Sequence, residues 1–208
     1  MEKFILDTNI FFNMEAGLGL GDKTEGVVVG LTKKISELKK NKKAEFFMPP
    51  RAVDEFLSFF EDKNQPFIKD FLSQITVKSP DASRSNFSAA VFYKLVDDIR
   101  LRSYRGLTVG EEEIGNAARL MMGADGLSKK DFEIKVGSVV KKFRERYRNA
   151  TRTGFLDSTT DLDLIVLAME QDAYIVTTDE GVLGWGRTFG VKEMPSGVFR
   201  KRLEDLLV

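Results

Sequence analysis

Five short runs, Phe4–Leu6, Glu45–Met48, Ile75–Val77, Tyr174–Thr177 and Val191–Glu193, read as strands, and most are separated by stretches of helical periodicity. This alternation admits few architectures. Strands that follow one another through helices run parallel, and a parallel sheet is covered on both faces. The predicted fold class is therefore α/β with a central parallel sheet. Its first crossover helix falls at Val27–Lys40, with Val27, Leu31, Ile35 and Leu38 on one face and lysines at the end that suits a helix dipole. Pro49 and Pro50 open a second helix whose apolar stripe is Val53, Phe56, Leu57 and Phe60.

Between Pro80 and Gly154 the strand signal stops. Phe87, Val91, Phe92, Leu95, Val96 and Ile99 repeat at helical spacing, and a second long helix fits Phe132, Val136, Val139, Val140, Phe143 and Tyr147. The stretch around Gly106, Gly110, Gly123 and Gly126 is expected to separate them. The chain thus divides into a core of residues 1–79 and 155–208 and a long helical insertion of residues 80–154.

Composition narrows the chemistry. Among 208 residues there is no cysteine and no histidine. Disulfides, thiol nucleophiles, histidine general bases, Ser-His-Asp triads and most zinc sites are excluded together, so hydrolysis would fall to carboxylates and the hard cations they bind. With 32 basic and 32 acidic side chains the formal charge is zero, so any nucleic-acid surface must be local. The opening MEKFILDTNIFF is broken by Asp7 and is too short and polar for a signal peptide or membrane span, which places the protein in the cytoplasm, away from membranes.

The acids fall in a pattern. Asp7 follows the strand-like FIL, and Asp179 follows AYIVTT. In open parallel sheets the ligand crevice lies beyond the carboxyl ends of the strands, so these two can meet. Asp157, Asp161 and Asp163 precede a helix apolar almost all round, from Leu164 to Met169. Ser158 with Asp161, or Thr160 with Asp163, also fits a capping box, but capping needs one acid and not three. Asp161 and Asp163 stand about 200° apart if both are helical, so they do not share a face. Carboxylates gathered in one crevice repel one another unless a cation neutralises them, and oxygen ligands favour magnesium, with manganese as a substitute. Glu55, in PPRAVDEF, is a further ligand candidate or a solvated acid beside Asp54.

Together, FILDTN, PPRAVDEF, STTDLDL and VTTDEG resemble the PIN-domain nucleases. The run GFLDSTTDLDLIVLAMEQDAYIVTTDEGVLGWGRTFGVKEM further resembles the carboxyl-terminal half of the minimal protein-only RNase P family, whose archaeal members have also been called RNA ligase partner proteins. The resemblance extends over nearly the whole chain. It implies a PIN-like α/β/α sandwich and a metal-dependent endoribonuclease that removes the 5′ leader from precursor tRNA. Carried over by motif, it implies an active site of Asp7, Asp157, Asp161, Asp163 and Asp179, with Mg2+ held by Asp7, Asp161, Asp163 and Asp179. It also implies use of the insertion in a homo-oligomer. Three rivals stand beside it: another PIN endonuclease acting on single-stranded RNA, a noncatalytic partner of an RNA ligase complex, and a phosphatase for small molecules. The insertion, the complete acid set and the basic arm, in turn, argue against them.

That arm is KKFRERYRNATR, where Lys141, Lys142, Arg144, Arg146, Arg148 and Arg152 face the single acid Glu145 and are candidates for RNA phosphates. Arg100, Arg102 and Arg105 form a second candidate patch. Tyr104, Tyr147 and Trp185 are expected to be packing residues.

Overall fold

Strand β1 (Glu2–Leu6) is the centre of the molecule's sheet. In chain order the elements are β1, α1 (Asn9–Phe12), α2 (Thr24–Lys40), β2 (Ala44–Met48), α3 (Pro50–Ser58), α4 (Pro66–Gln74) and β3 (Thr76–Val77), then α5 (Ala89–Met121) and α6 (Lys129–Arg152). They continue with α7 (Thr159–Gln171), β4 (Tyr174–Thr177), α8 (Glu180–Phe189), β5 (Lys192–Pro195) and α9 (Ser196–Leu207). The computed structural model describes residues 1–13, 18–21, 23–83, 85–123, 126–156 and 158–208. The chain forms two compact units, Met1–Ser88 with Leu156–Val208, and Ala89–Phe155.

In the first unit five parallel strands lie in the order β3-β2-β1-β4-β5. Phe4, Ile5 and Leu6 are fully buried, as a central parallel strand requires. Alternate residues face opposite sides: Phe4 pairs in register with Phe46 and Tyr174, stacks on both rings, and meets Phe199 of α9 edge-on. Helix α2 buries Val27, Val28, Leu31, Ile35 and Leu38. Helix α7 buries Leu164 to Ala168 without a break, matching its all-round apolar sequence. Trp185 is 2% exposed, in keeping with a packing role. Proline opens both α3 and α4, where its missing N–H costs nothing. The periodicity reading assigns no helix to Pro66–Gln74, because nine residues are too few turns to show a pattern; burial of Ile68 and Phe71 secures it.

This topology determines where a site can form. The chain moves outward from β1 through β2 to β3, then returns to β1's other side as β4 and continues to β5. The switch point lies between β1 and β4, and their carboxyl ends open there.

The second unit is a pair of long helices, α5 and α6. Phe87, which helical spacing assigns to the first of them, precedes α5 and belongs to the first unit, where it packs edge-on against Phe189. Gly106 and Gly110 do not separate the helices, because α5 runs through both to Met121. At Gly106 the helices come close: a Cβ there would lie 2.8 Å from Tyr147 Cε2 and 3.3 Å from Thr151 Cγ2. Glycine is thus a packing requirement at this crossing and not a hinge. Arg102 donates to the Thr151 and Thr153 carbonyls at the end of α6 and lies 4.4 Å over the Phe155 ring, so it is a helix cap. Tyr104, expected to be packed, is 69% exposed.

Candidate active site

Asp7 stands one residue beyond β1 and its backbone N–H continues the pairing by donating to the Val176 carbonyl at 3.0 Å. That position forces the side chain into the β1–β4 seam, where the residue is only 6% exposed. Thr177, the last residue of β4 and fully buried, donates its hydroxyl to Asp7 Oδ2 at 2.5 Å. The same Oγ1 accepts from Asn9 Nδ2 at 3.1 Å and from the backbone N–H of Asp179 at 2.9 Å. Asn9 Oδ1 accepts from the Thr178 N–H at 3.1 Å. Thr8, buried beside Asp7, donates to the Ala52 carbonyl of α3 at 3.2 Å. The DTN and TTD tripeptides are therefore one hydrogen-bonded lattice joining two strand ends.

This environment opposes ionisation of Asp7. Burial, above all, pushes its pKa up to about 7, and the charges of Asp161 and Glu55 push in the same direction; the bonds from Thr177 and Thr8 oppose the rise. Glu55 is itself pushed upward by loss of water around its carboxyl. The carboxylates that sense one another thus come from the end of β1, from α3 and from the first turn of α7. Perturbed acids in a crevice are a mark of functional sites.

The remaining predicted acids have other partners. Asp179 is exposed and caps α8, its Oδ1 accepting from the N–H groups of Gly181 and Val182 at 2.6 and 3.2 Å. Asp163 pairs with Arg51 of α3 at 2.9 Å. Ser158 caps α7 through the Asp161 N–H at 3.1 Å, so the capping expectation and the acidic site share this turn. Asp157 lies outside the described residues. Among the described residues no group of three or more acids has the spacing to hold a metal ion. What is present is a buried carboxylate destabilised by two neighbouring ones, a donor set whose repulsion a hard cation would relieve. Carboxylate oxygens are the donor chemistry a hard cation takes, and the charges of Asp161 and Glu55 both bear on Asp7.

Sequence reasoning named Asp7, Asp161 and Asp179 and weighed Glu55, but it passed over Thr177, Asn9 and Arg51. The first two lie inside the same short motifs as the aspartates, which was the available signal. Nothing local marks Arg51 as a partner of Asp163.

The six basic candidates separate by helix face. Arg146 binds Glu112 and Glu113 of α5, and Lys142 lies 3.7 Å from Glu113, a residue that is 3% exposed. The Arg146 hydrogen bond, first among the causes, holds Glu113 below the usual carboxylate range. Lys141, Arg144, Arg148 and Arg152 are all exposed and fall within about 80° of one another around α6. Lys141, Arg144 and Arg148 line a shallow groove with Gly137 and Val140.

A parallel sheet with an acidic crevice at its switch point is matched by a family model described as a PINc domain ribonuclease, over residues 3–208. Fold, site and match define a PIN-type ribonuclease. A relative from Thermococcus kodakarensis named RNA-free ribonuclease P is 36% identical over 99% of this chain and 96% of its own length. Relatives of the same name from Thermodesulfovibrio yellowstonii and Pyrococcus furiosus are 34% and 32% identical, over 91% and 100% of this chain and 87% and 95% of their own lengths. The chain belongs to the RNA-free ribonuclease P family of PIN-domain ribonucleases.

Proposed function

We propose that this protein is a magnesium-dependent endoribonuclease that removes the 5′ leader from precursor tRNA without an RNA subunit. The observation that carries the reading is the buried Asp7 carboxylate at the β1–β4 switch point, coupled to Asp161 and Glu55. Asp7 and Asp161 would hold the ion, with Glu55 beside them; Asp163 and Asp179 complete the acidic crevice, and manganese would substitute. When bound, such an ion supplies positive charge for the phosphorane-like transition state and acidifies an attacking water. The chain's own part is positioning. Thr177 and the Thr8 backbone N–H hold Asp7, Asn9 ties the two strand ends together, and Arg51 holds Asp163.

Lys141, Arg144, Arg148 and Arg152 form the RNA-phosphate stripe in this reading, since their face of α6 is exposed and cationic. Duplex RNA offers shape and phosphates more readily than base edges, which suits recognition of a structured acceptor stem. Phe92, Val96, Ile99, Leu107 and Ile114 form an exposed apolar stripe along α5 and would be covered in a homo-oligomer. No helix among the described residues is long and apolar enough to cross a membrane. Cytoplasmic residence goes with this substrate.

The test is cleavage of a precursor tRNA with magnesium, comparing wild type, Asp7→Asn and Asp179→Asn, with chelator and unstructured RNA as controls. A single cut at the mature 5′ end, lost in Asp7→Asn and with chelator, is expected. Equal cutting of unstructured RNA would move the reading to a general single-strand endonuclease; no cutting at all would favour an adaptor.

A further inference from the structure

Helix α3 carries an exposed stripe at four-residue spacing, Arg51, Glu55 and Phe59, the last being its cap residue in helical conformation. Side chains at this spacing are neighbours, their Cβ atoms roughly 5–6 Å apart. Arg51 reaches Asp163, and the Glu55 charge reaches Asp7, so the stripe runs along the acidic crevice. Phe59 comes next. One face of its ring lies on Phe12, with centroids 3.8 Å apart and planes 20° from parallel, yet the residue is 56% exposed.

Phe12 is anchored from beneath by Phe56 and Phe60 and ends α1, the turn of helix that follows Asp7. The next residue, Asn13, donates to Thr178 Oγ1 at 3.4 Å, beside Asp179. The stacked pair therefore stands on the rim of the crevice, held in orientation by a packed aromatic base. A lone exposed phenylalanine is ordinary. This one is pre-stacked, with an open face, next to acids that repel phosphate.

We infer that Phe59, backed by Phe12, is a stacking platform for an unpaired base of the 5′ leader beside the scissile phosphate. The inference rests on the nuclease reading above. Of the three stripe residues only Arg51 is cationic, and it is paired with Asp163, so the strand cannot be held here mainly through its charge. A base face has no such conflict. Aromatic side chains bind unpaired RNA bases by stacking, and stacking tolerates any base because each has a π face. The platform would thus orient the leader strand without reading its sequence.

The experiment is a cycle between protein and substrate. Wild type, Phe59→Ala and Phe59→Trp are compared on a precursor tRNA with an ordinary leader and on one with an abasic nucleotide next to the cut. Phe59→Ala is expected to reduce kcat/KM by about 5- to 100-fold on the ordinary leader. Phe59→Trp retains activity, and the abasic substrate is slow with wild type but no slower with Phe59→Ala. An equal loss on both substrates, or none on either, overturns the platform. If wild type leaves precursor tRNA uncut, the functional reading has failed separately. Binding of a short single-stranded RNA containing 2-aminopurine then decides: quenching by wild type and Phe59→Trp but not by Phe59→Ala supports the platform, and equal quenching by all three overturns it.

Discussion

The hydroxyl of Thr177 donates to the Asp7 carboxylate across the seam between β4 and β1, while its oxygen receives the N–H of Asp179. One buried side chain thereby couples the two strand-end aspartates. Thr177→Val keeps the shape and removes all of these bonds. It should cost about 1–3 kcal/mol of stability, because Asp7 and the Asp179 N–H lose a buried partner. It should also lower cleavage at least tenfold and move the acidic limb of the pH–rate profile upward, since the missing bond is one that lowers the Asp7 pKa. Denaturation curves and the pH profile measure the two effects.

The raised pKa of Asp7 makes metal-free stability depend on pH. Well below pH 3.8 the carboxyl is protonated in both folded and unfolded chains, and burial costs little. As pH rises from the unfolded value of 3.8 to the folded value of about 7, the unfolded chain ionises first, so stability falls and then levels off. The span corresponds to a loss of about 4 kcal/mol, as an order of magnitude. Asp7→Asn should flatten this slope and melt higher than wild type at pH 8 without magnesium, while cleaving no substrate. Thermal melts of both proteins from pH 4 to pH 8 measure it, and an unchanged slope in Asp7→Asn would contradict the assignment.

Arg51 is 56% exposed along its side chain, so its bond to Asp163 should contribute less than about 1 kcal/mol. Its larger effect is electrostatic, because it neutralises one acid of the crevice. Arg51→Ala should leave the melting temperature nearly unchanged and lower the magnesium concentration needed for half-maximal cleavage several-fold, since the added negative charge favours a cation. A magnesium titration of both proteins decides it.

The basic side chains of α6 should behave as two groups. Changing Lys141, Arg144 or Arg148 to glutamine should weaken precursor binding and reduce the salt dependence of binding by about one ion for each cation removed, with stability intact. Arg146→Gln should instead loosen the α5–α6 pair, because the buried Glu113 loses its strongest partner and keeps only Asn116 and the more distant Lys142. Binding at several salt concentrations, with amide exchange of α5 and α6, separates the two outcomes.

Local pattern made much of this protein legible before folding. The strand and helix periods predicted the parallel sheet and the helical insertion, and strand ends at Leu6 and Thr177 placed Asp7 and Asp179 at one edge. The lack of histidine and cysteine removed imidazole and thiol chemistry from the options. These properties depend on neighbours in the chain, so periodicity and composition carry them. Other properties arise only on closing the fold. The protonation of Asp7 depends on water excluded by distant segments and on charges from α3 and α7. Arg146 turns inward because Glu112 and Glu113 lie opposite, and Gly106 is needed because Tyr147 crosses there. Burial, charge coupling and close approach belong to pairs far apart in sequence, and no local pattern holds both members.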